Sequence, residues 1–106
     1  MTAYRLSRQA DRDLDEIEEY ISADNPQAAE RVIAALYESF AFLARHPRSG
    51  RKRDDLIPGI CVFPARKPAD KYVIFYYDQE NGIEISDVIH GARDWQGMFS
   101  RGDRGS

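Results

Sequence analysis

A chain of 106 residues, 42% hydrophobic and 31% charged, has the make-up of one ordinary globular domain. No apolar run approaches the roughly 18 residues of a membrane span, and the scattered Arg5, Arg8, Asp11 and Arg12 leave no room for a signal-peptide pattern. Cys61 is the only cysteine, so no internal disulfide forms and a cytoplasmic location is expected.

The net charge of −3 is unevenly spread. Residues 1–43 carry four Lys/Arg against nine Asp/Glu, whereas residues 44–71 carry eight against three. The result is a basic island in an acidic protein, suited to nucleic acid, to an acidic protein segment or simply to a solvated loop.

In chain order, "AYRL" predicts a short strand. Ser7 is placed to cap a helix whose apolar residues Ala10, Leu14, Ile17 and Ile21 follow helical spacing, with Asp11, Asp13, Asp15, Glu16, Glu18 and Glu19 on its remaining surface. "DNP" ends that helix and begins another: Asn25 is a good cap, and Pro26 suits a first helical position where its missing N–H costs nothing. The second helix carries Ala29, Val32, Ile33, Leu36, Phe40 and Leu43, and stops before Pro47, which disfavours helical geometry at His46.

Residues 47–59, "PRSGRKRDDLIPG", predict a loop. "ICVF" predicts a short edge strand ending at Pro64, and "KYVIFYY", apolar throughout, a central one. "DQENG" predicts a turn into "IEISDVIH", whose alternation breaks at Ser86-Asp87 in the manner of a bulge. "ARDWQGMF" predicts one terminal helical turn, and residues 101–106 a flexible tail after a single domain over 1–100. The order is β-α-α-β-β-β. It gives an α+β class: an antiparallel sheet with an N-terminal helical hairpin packed on one face. Leu14, Ile17, Ile21, Val32, Leu36 and Phe40 are expected to face Val73, Phe75, Ile83 and Ile85, or the residues one position along.

The chemistry-bearing residues concentrate in "HGARDW". Gly91 lets the chain turn out of the strand, Asp94 is placed to cap the next turn or pair with Arg93, and His90 can bond backbone at the strand end. That describes a structural corner, with partner binding as the second reading and catalysis as the third. Cys61 reads as an inert strand cysteine rather than a nucleophile paired with His90. His46 and His90 are the only histidines and lack clustered ligands, so no metal is expected, nor any cofactor.

The ordered pieces "YRLSRQADRDLDEIEEYI", "LARHPRSGRKRDDL", "KYVIFYY" and "IEISDVIHGARDWQGMF" resemble the RelE/ParE superfamily of bacterial toxins, and its ParE branch most closely. The resemblance implies a toxin neutralised by a DNA-binding, ParD-like antitoxin. ParE-like members inhibit DNA gyrase by binding; RelE-like members cut mRNA on the ribosome. RelE-like sequences carry lysines on the strand after the hairpin, an arginine on the central strand, another past the last strand, and in many cases a C-terminal tyrosine. Here "ICVF" has no lysine, Val73 takes the central position, and Phe99 lacks the hydroxyl; only Arg93 matches, with His90 as a substitute acid or base. The expectation is a non-enzymatic gyrase inhibitor with partner-binding candidates Arg51, Arg53, Arg66, Arg93 and Trp95. The alternative is a ribonuclease resting on His90 and Arg93.

Overall fold

The computed structural model describes residues 3–102. Strand β1 (Tyr4–Leu6) leads into helices α1 (Arg8–Ser22) and α2 (Pro26–Arg45), then β2 (Arg51–Lys52), β3 (Ile60–Pro64), β4 (Tyr72–Gln79), β5 (Gly82–His90) and the short helix α3 (Trp95–Ser100). Both long helices start as their sequence signals require. The Ser7 hydroxyl accepts the Ala10 amide at 3.0 Å, and the Asn25 side chain accepts the Ala28 amide at 3.1 Å with Pro26 in the first turn. The second helix closes at His46, whose amide reaches the Phe42 carbonyl.

The sheet order is β1-β5-β4-β3-β2. Strands β3, β4 and β5 pair antiparallel, as expected; β1, expected to join an antiparallel sheet, instead pairs parallel to β5 through Tyr4–Ile83, Arg5–Glu84 and Leu6–Ile85. A parallel pair needs a long connection, and here the helical hairpin and three strands lie between its members. The two-residue β2 was not expected: Arg51 and Lys52 pair with Val62 and Cys61, so β3 is not the outermost strand. Pro64 pairs with Val73, beyond the stretch that β2 covers, where its missing N–H breaks no ladder.

Two apolar clusters cover the two faces. Between the helical hairpin and the sheet lie Leu14, Ile17, Leu36, Phe40 and Leu43 against Tyr72, Ile74, Tyr76, Ile83, Ile85 and Val88. On the opposite face, Ile60, Phe75 and Ile89 pack under Met98 and Phe99 of α3, with Val62, Val73 and Trp95 at the margin. The helices therefore meet Ile74 and Tyr76 on β4, one residue along from Val73 and Phe75. A strand covered on both sides is apolar at every position, so alternation does not mark which face is which.

The break at Ser86-Asp87 is a bulge. Phe75 pairs with Asp87 but Tyr76 with Ile85, leaving Ser86 as the extra residue. Its carbonyl accepts the Ser7 hydroxyl at 2.6 Å. Asp13, expected on the wet face of α1, is only 3% exposed and accepts the Val88 amide just past the bulge. The tail expected over 101–106 falls largely outside the described residues: Arg101 and Gly102 form the turn that closes α3, and 103–106 are not described.

Candidate functional site

The basic island does not stay together. Arg51 pairs with Val62, and side chains two apart share a side, so Arg51 and Arg53 both lie towards the α3 face. Arg53 makes two hydrogen bonds of 2.8 Å to the Asp55 carboxylate, and its guanidinium lies 5.3 Å from the centroid of Trp95. That hydrogen-bonded guanidinium holds Asp55 below the usual carboxylate range. Trp95 in turn packs edge-on against Phe75 at 5.4 Å. The outcome is a layered unit, Phe75–Trp95–Arg53, that fixes an arginine and an indole on a partly exposed surface.

Arg66 belongs elsewhere. Its backbone amide donates to the buried Ser39 hydroxyl at 2.9 Å, and its guanidinium sits 4.2 Å over the Phe42 ring. Phe42 stacks on Phe63 at 5.8 Å and touches His46 at 4.9 Å, on the side of the helical hairpin. Arg66 and Arg53 thus serve separate surfaces.

The "HGARDW" stretch is a corner. The His90 Nδ1 accepts the Ala92 amide at 3.0 Å, so in the neutral ring the proton sits on Nε2. The Arg93 amide returns to the His90 carbonyl, and the Gly91 amide donates to the Lys71 carbonyl at 2.7 Å. Gly91 serves by close approach: a Cβ there would lie 3.2 Å from that same oxygen. The Asp94 side chain caps α3 by accepting the Gly97 amide at 2.9 Å.

The corner separates Arg93 from Trp95. Arg93 lines a cleft of about 470 Å³ between α1 and the end of β5, with Glu16, Ile17, Tyr20, Tyr72, Val88 and His90. Trp95 turns to the other face of the sheet. Tyr20 and Glu16 gave no sign in the sequence, being polar or amphipathic residues on an acidic helix. Only the position of Tyr20, three after the core residue Ile17, put it near the apolar stripe.

At the positions a ribonuclease would need, the surroundings are apolar. Val73 and the buried Phe99 belong to the cluster of Ile60, Phe75 and Ile89. Cys61 is buried and its thiol is pushed up by burial. It pairs with Tyr76 on one side of β4, while His90 pairs with Tyr72 on the other, four residues along; the two do not meet. Among the described residues no group of three His, Cys, Asp or Glu is arranged to hold a metal ion, and no helix is long and apolar enough to cross a membrane.

The chain is thus a small α+β domain, a helical hairpin on one face of a five-stranded sheet with a basic loop between them. Residues 4–95 match the family model described as the ParE toxin of the type II toxin-antitoxin system parDE. A Sinorhizobium fredii protein, Y4kP, whose name proposes a toxin, is 37% identical over 92 residues, 86% of this chain and 90% of that one. In solved structures the fold is shared with a chain of the chromosomal ParDE system of P. aeruginosa: TM-score 0.68, 20% identity, 85% of this chain and 96% of that one. A chain of the RelBE2 toxin-antitoxin complex of Mycobacterium tuberculosis aligns with TM-score 0.55 and 27% identity, over 84% of this chain and 96% of that one. The chain belongs to the ParE toxin family of type II toxin-antitoxin systems.

Proposed function

We propose that this toxin acts in the cytoplasm by binding DNA gyrase, without catalysing a reaction, and that a ParD-like antitoxin neutralises it. The observation that carries this reading is the Phe75–Trp95–Arg53 unit. Arg and Trp are enriched among the residues that dominate protein interfaces, and here both are held in place before any partner arrives. Arg51 on the adjoining strand extends the same basic surface. The apolar neighbours of Val73 and Phe99 support binding over RNA cleavage, because 2′-hydroxyl attack needs cations around the phosphate and an acid for the leaving oxygen.

Expression in bacteria tests the reading. Growth arrest with a DNA-damage response and intact mRNA, relieved by co-expression of the small protein encoded beside the toxin gene, is the expected result. Growth arrest with mRNA cut at ribosome-occupied codons contradicts it in favour of the ribonuclease.

A further inference from the structure

We propose that the sheet edge beside the end of α2 is a stacking platform for single-stranded nucleic acid, built by Lys52, Phe63, Phe42, His46 and Arg66. Two phenyl rings form its centre. Phe42 of α2 and Phe63 of β3 stack at 5.8 Å, and both are only partly buried. His46 adds an exposed imidazole 4.9 Å from Phe42.

A cation stands at each end. The exposed Arg66 has its guanidinium 4.2 Å over the Phe42 ring, and its backbone amide is tied to the Ser39 hydroxyl at 2.9 Å. At the other end, Lys52 pairs with Cys61, and Cys61 and Phe63 share one side of β3 because they are two residues apart. Lys52 is therefore the diagonal neighbour of Phe63 on the helical side of the sheet, roughly 7–8 Å away. The sequence cation, ring, ring, cation suits a short single strand: bases stack on rings or on a guanidinium plane, and phosphates meet the charges on either side.

Neither cation is neutralised from within. The chain has 18 acidic residues and Arg53 finds one in Asp55, but among the described residues neither Arg66 nor Lys52 enters an ion pair. Both belong to the segment 44–71, where eight Lys/Arg face three Asp/Glu, so the local field attracts anions although the whole chain is acidic. An acidic peptide fits this edge less well. A peptide captured at a sheet edge pairs its backbone with the outer strand, and past β2 the edge of β3 presents Pro64, which has no N–H. Side-chain carboxylates would also use the cations and leave the rings unstacked. Glu38, one turn before Phe42 on α2, sets the direction: the strand runs across from Arg66 to Lys52, not along the helix. The platform lies on the helical side of the sheet, apart from the Arg53–Trp95 surface on the side of α3.

The test is fluorescence anisotropy of a labelled oligothymidine of about ten bases, and of its oligouridine counterpart, titrated with the full-length toxin. The variants are Arg66→Ala, Arg66→Lys, Lys52→Ala and Arg8→Ala; all three positions are exposed, and thermal melts check that the fold is kept. Binding that weakens with salt is expected, and the tighter of the two probes names the natural strand as DNA or RNA. Arg66→Ala should weaken it roughly five- to a hundredfold, and Arg66→Lys, which keeps the charge but loses the plane, should recover little. Lys52→Ala should reduce the slope of log affinity against log salt by about 0.7. Arg8→Ala, the same loss of charge on α1, should change little. Equal affinity for an abasic strand with the same number of phosphates overturns the stacking platform, and equal losses in Arg8→Ala and Arg66→Ala reduce it to general charge and overturn it as well. No binding of either oligonucleotide also overturns the inference, and a glutamate-rich peptide of equal charge that binds more tightly reassigns the edge to an acidic protein.

Discussion

The Asp13 carboxylate of α1 accepts the backbone amide of Val88 in β5 at 2.9 Å, across 75 residues of chain. β1 covers the edge of β5 only as far as Ile85, and β5 runs on to His90. Beyond β1, α1 supplies the hydrogen-bond acceptor that a neighbouring strand would have supplied. Gln9 donates to the other Asp13 oxygen at 3.0 Å and holds the carboxylate in place.

Asp13→Ala is therefore expected to leave the buried Val88 amide without this acceptor, at a cost of about 1–3 kcal/mol. In a domain of this size each kcal/mol lowers the Tm by roughly 4–8 °C. Asp13→Asn keeps an acceptor oxygen and should lose less. A melting curve for the alanine variant that overlays the wild type would show that this bond contributes nothing.

Tyr76 does comparable work at the other end of the helical hairpin. Its hydroxyl donates to the Pro47 carbonyl at 2.7 Å and accepts the Gly50 amide at 2.9 Å, tying the basic loop to the sheet. Gly50 lets the loop come this close, since a Cβ there would run into the tyrosine ring. Burial pushes the Tyr76 phenol from 10.0 up to about 12. A raised folded-state value favours the neutral phenol in the fold. Its stabilising effect is complete below about pH 10 and is lost as the pH rises through about 12. Urea titrations across that window should show stability falling in the wild type and falling less in Tyr76→Phe. Equal slopes for the two proteins would contradict this.

The two clusters can be separated by a single substitution on each side. Leu36→Ala empties space between the helices and the sheet and should cost roughly 2–5 kcal/mol. Phe75→Ala removes the ring that contacts Trp95 at 5.4 Å and Phe99 at 4.9 Å, so it should release α3 as well as destabilise the fold. Because Trp95 is the only tryptophan, its emission reports on that release. A red shift is expected in Phe75→Ala and not in Leu36→Ala under folding conditions. Identical emission in the two variants would mean that α3 does not depend on Phe75.

Much of this architecture was legible in the chain, because local chemistry marked it. Ser7, Asn25 and Pro26 carry helix-start signals whose cause is local hydrogen bonding, and Ser86-Asp87 broke an otherwise regular alternation. What stayed hidden depends on contacts distant in sequence. Arg51 and Lys52 have no strand signal of their own; they pair because β3 lies alongside. Asp13 looks like its acidic neighbours until the end of β1 exposes an amide opposite it. Arg93 and Trp95 are two residues apart and looked like one anchor, but the Asp94 cap starts a helix between them and sends them to different surfaces. The cleft was hidden for the same reason: its walls come from α1 and from the chain past β5.

Separate surfaces should behave separately towards the target. Arg53→Ala and Arg51→Ala are expected to weaken gyrase inhibition about tenfold or more, since they belong to the Trp95 side. Arg66→Ala, over Phe42 on the other face, is the matched loss of one positive charge and should change inhibition little. His90→Ala should also change it little, because its bond to Ala92 serves the corner. Equal losses in Arg53→Ala and Arg66→Ala would indicate that general positive charge, rather than a fixed surface, drives binding.

The most direct measurement is a plasmid supercoiling assay with purified gyrase, run beside a cleavage assay on ribosomes programmed with mRNA, with the same purified toxin in both. The account predicts loss of supercoiling with rising toxin concentration, weakened in Arg53→Ala, and intact mRNA throughout. Supercoiling left untouched while mRNA is cut, with cutting abolished in His90→Ala or Arg93→Ala, would contradict it and make this chain a ribonuclease.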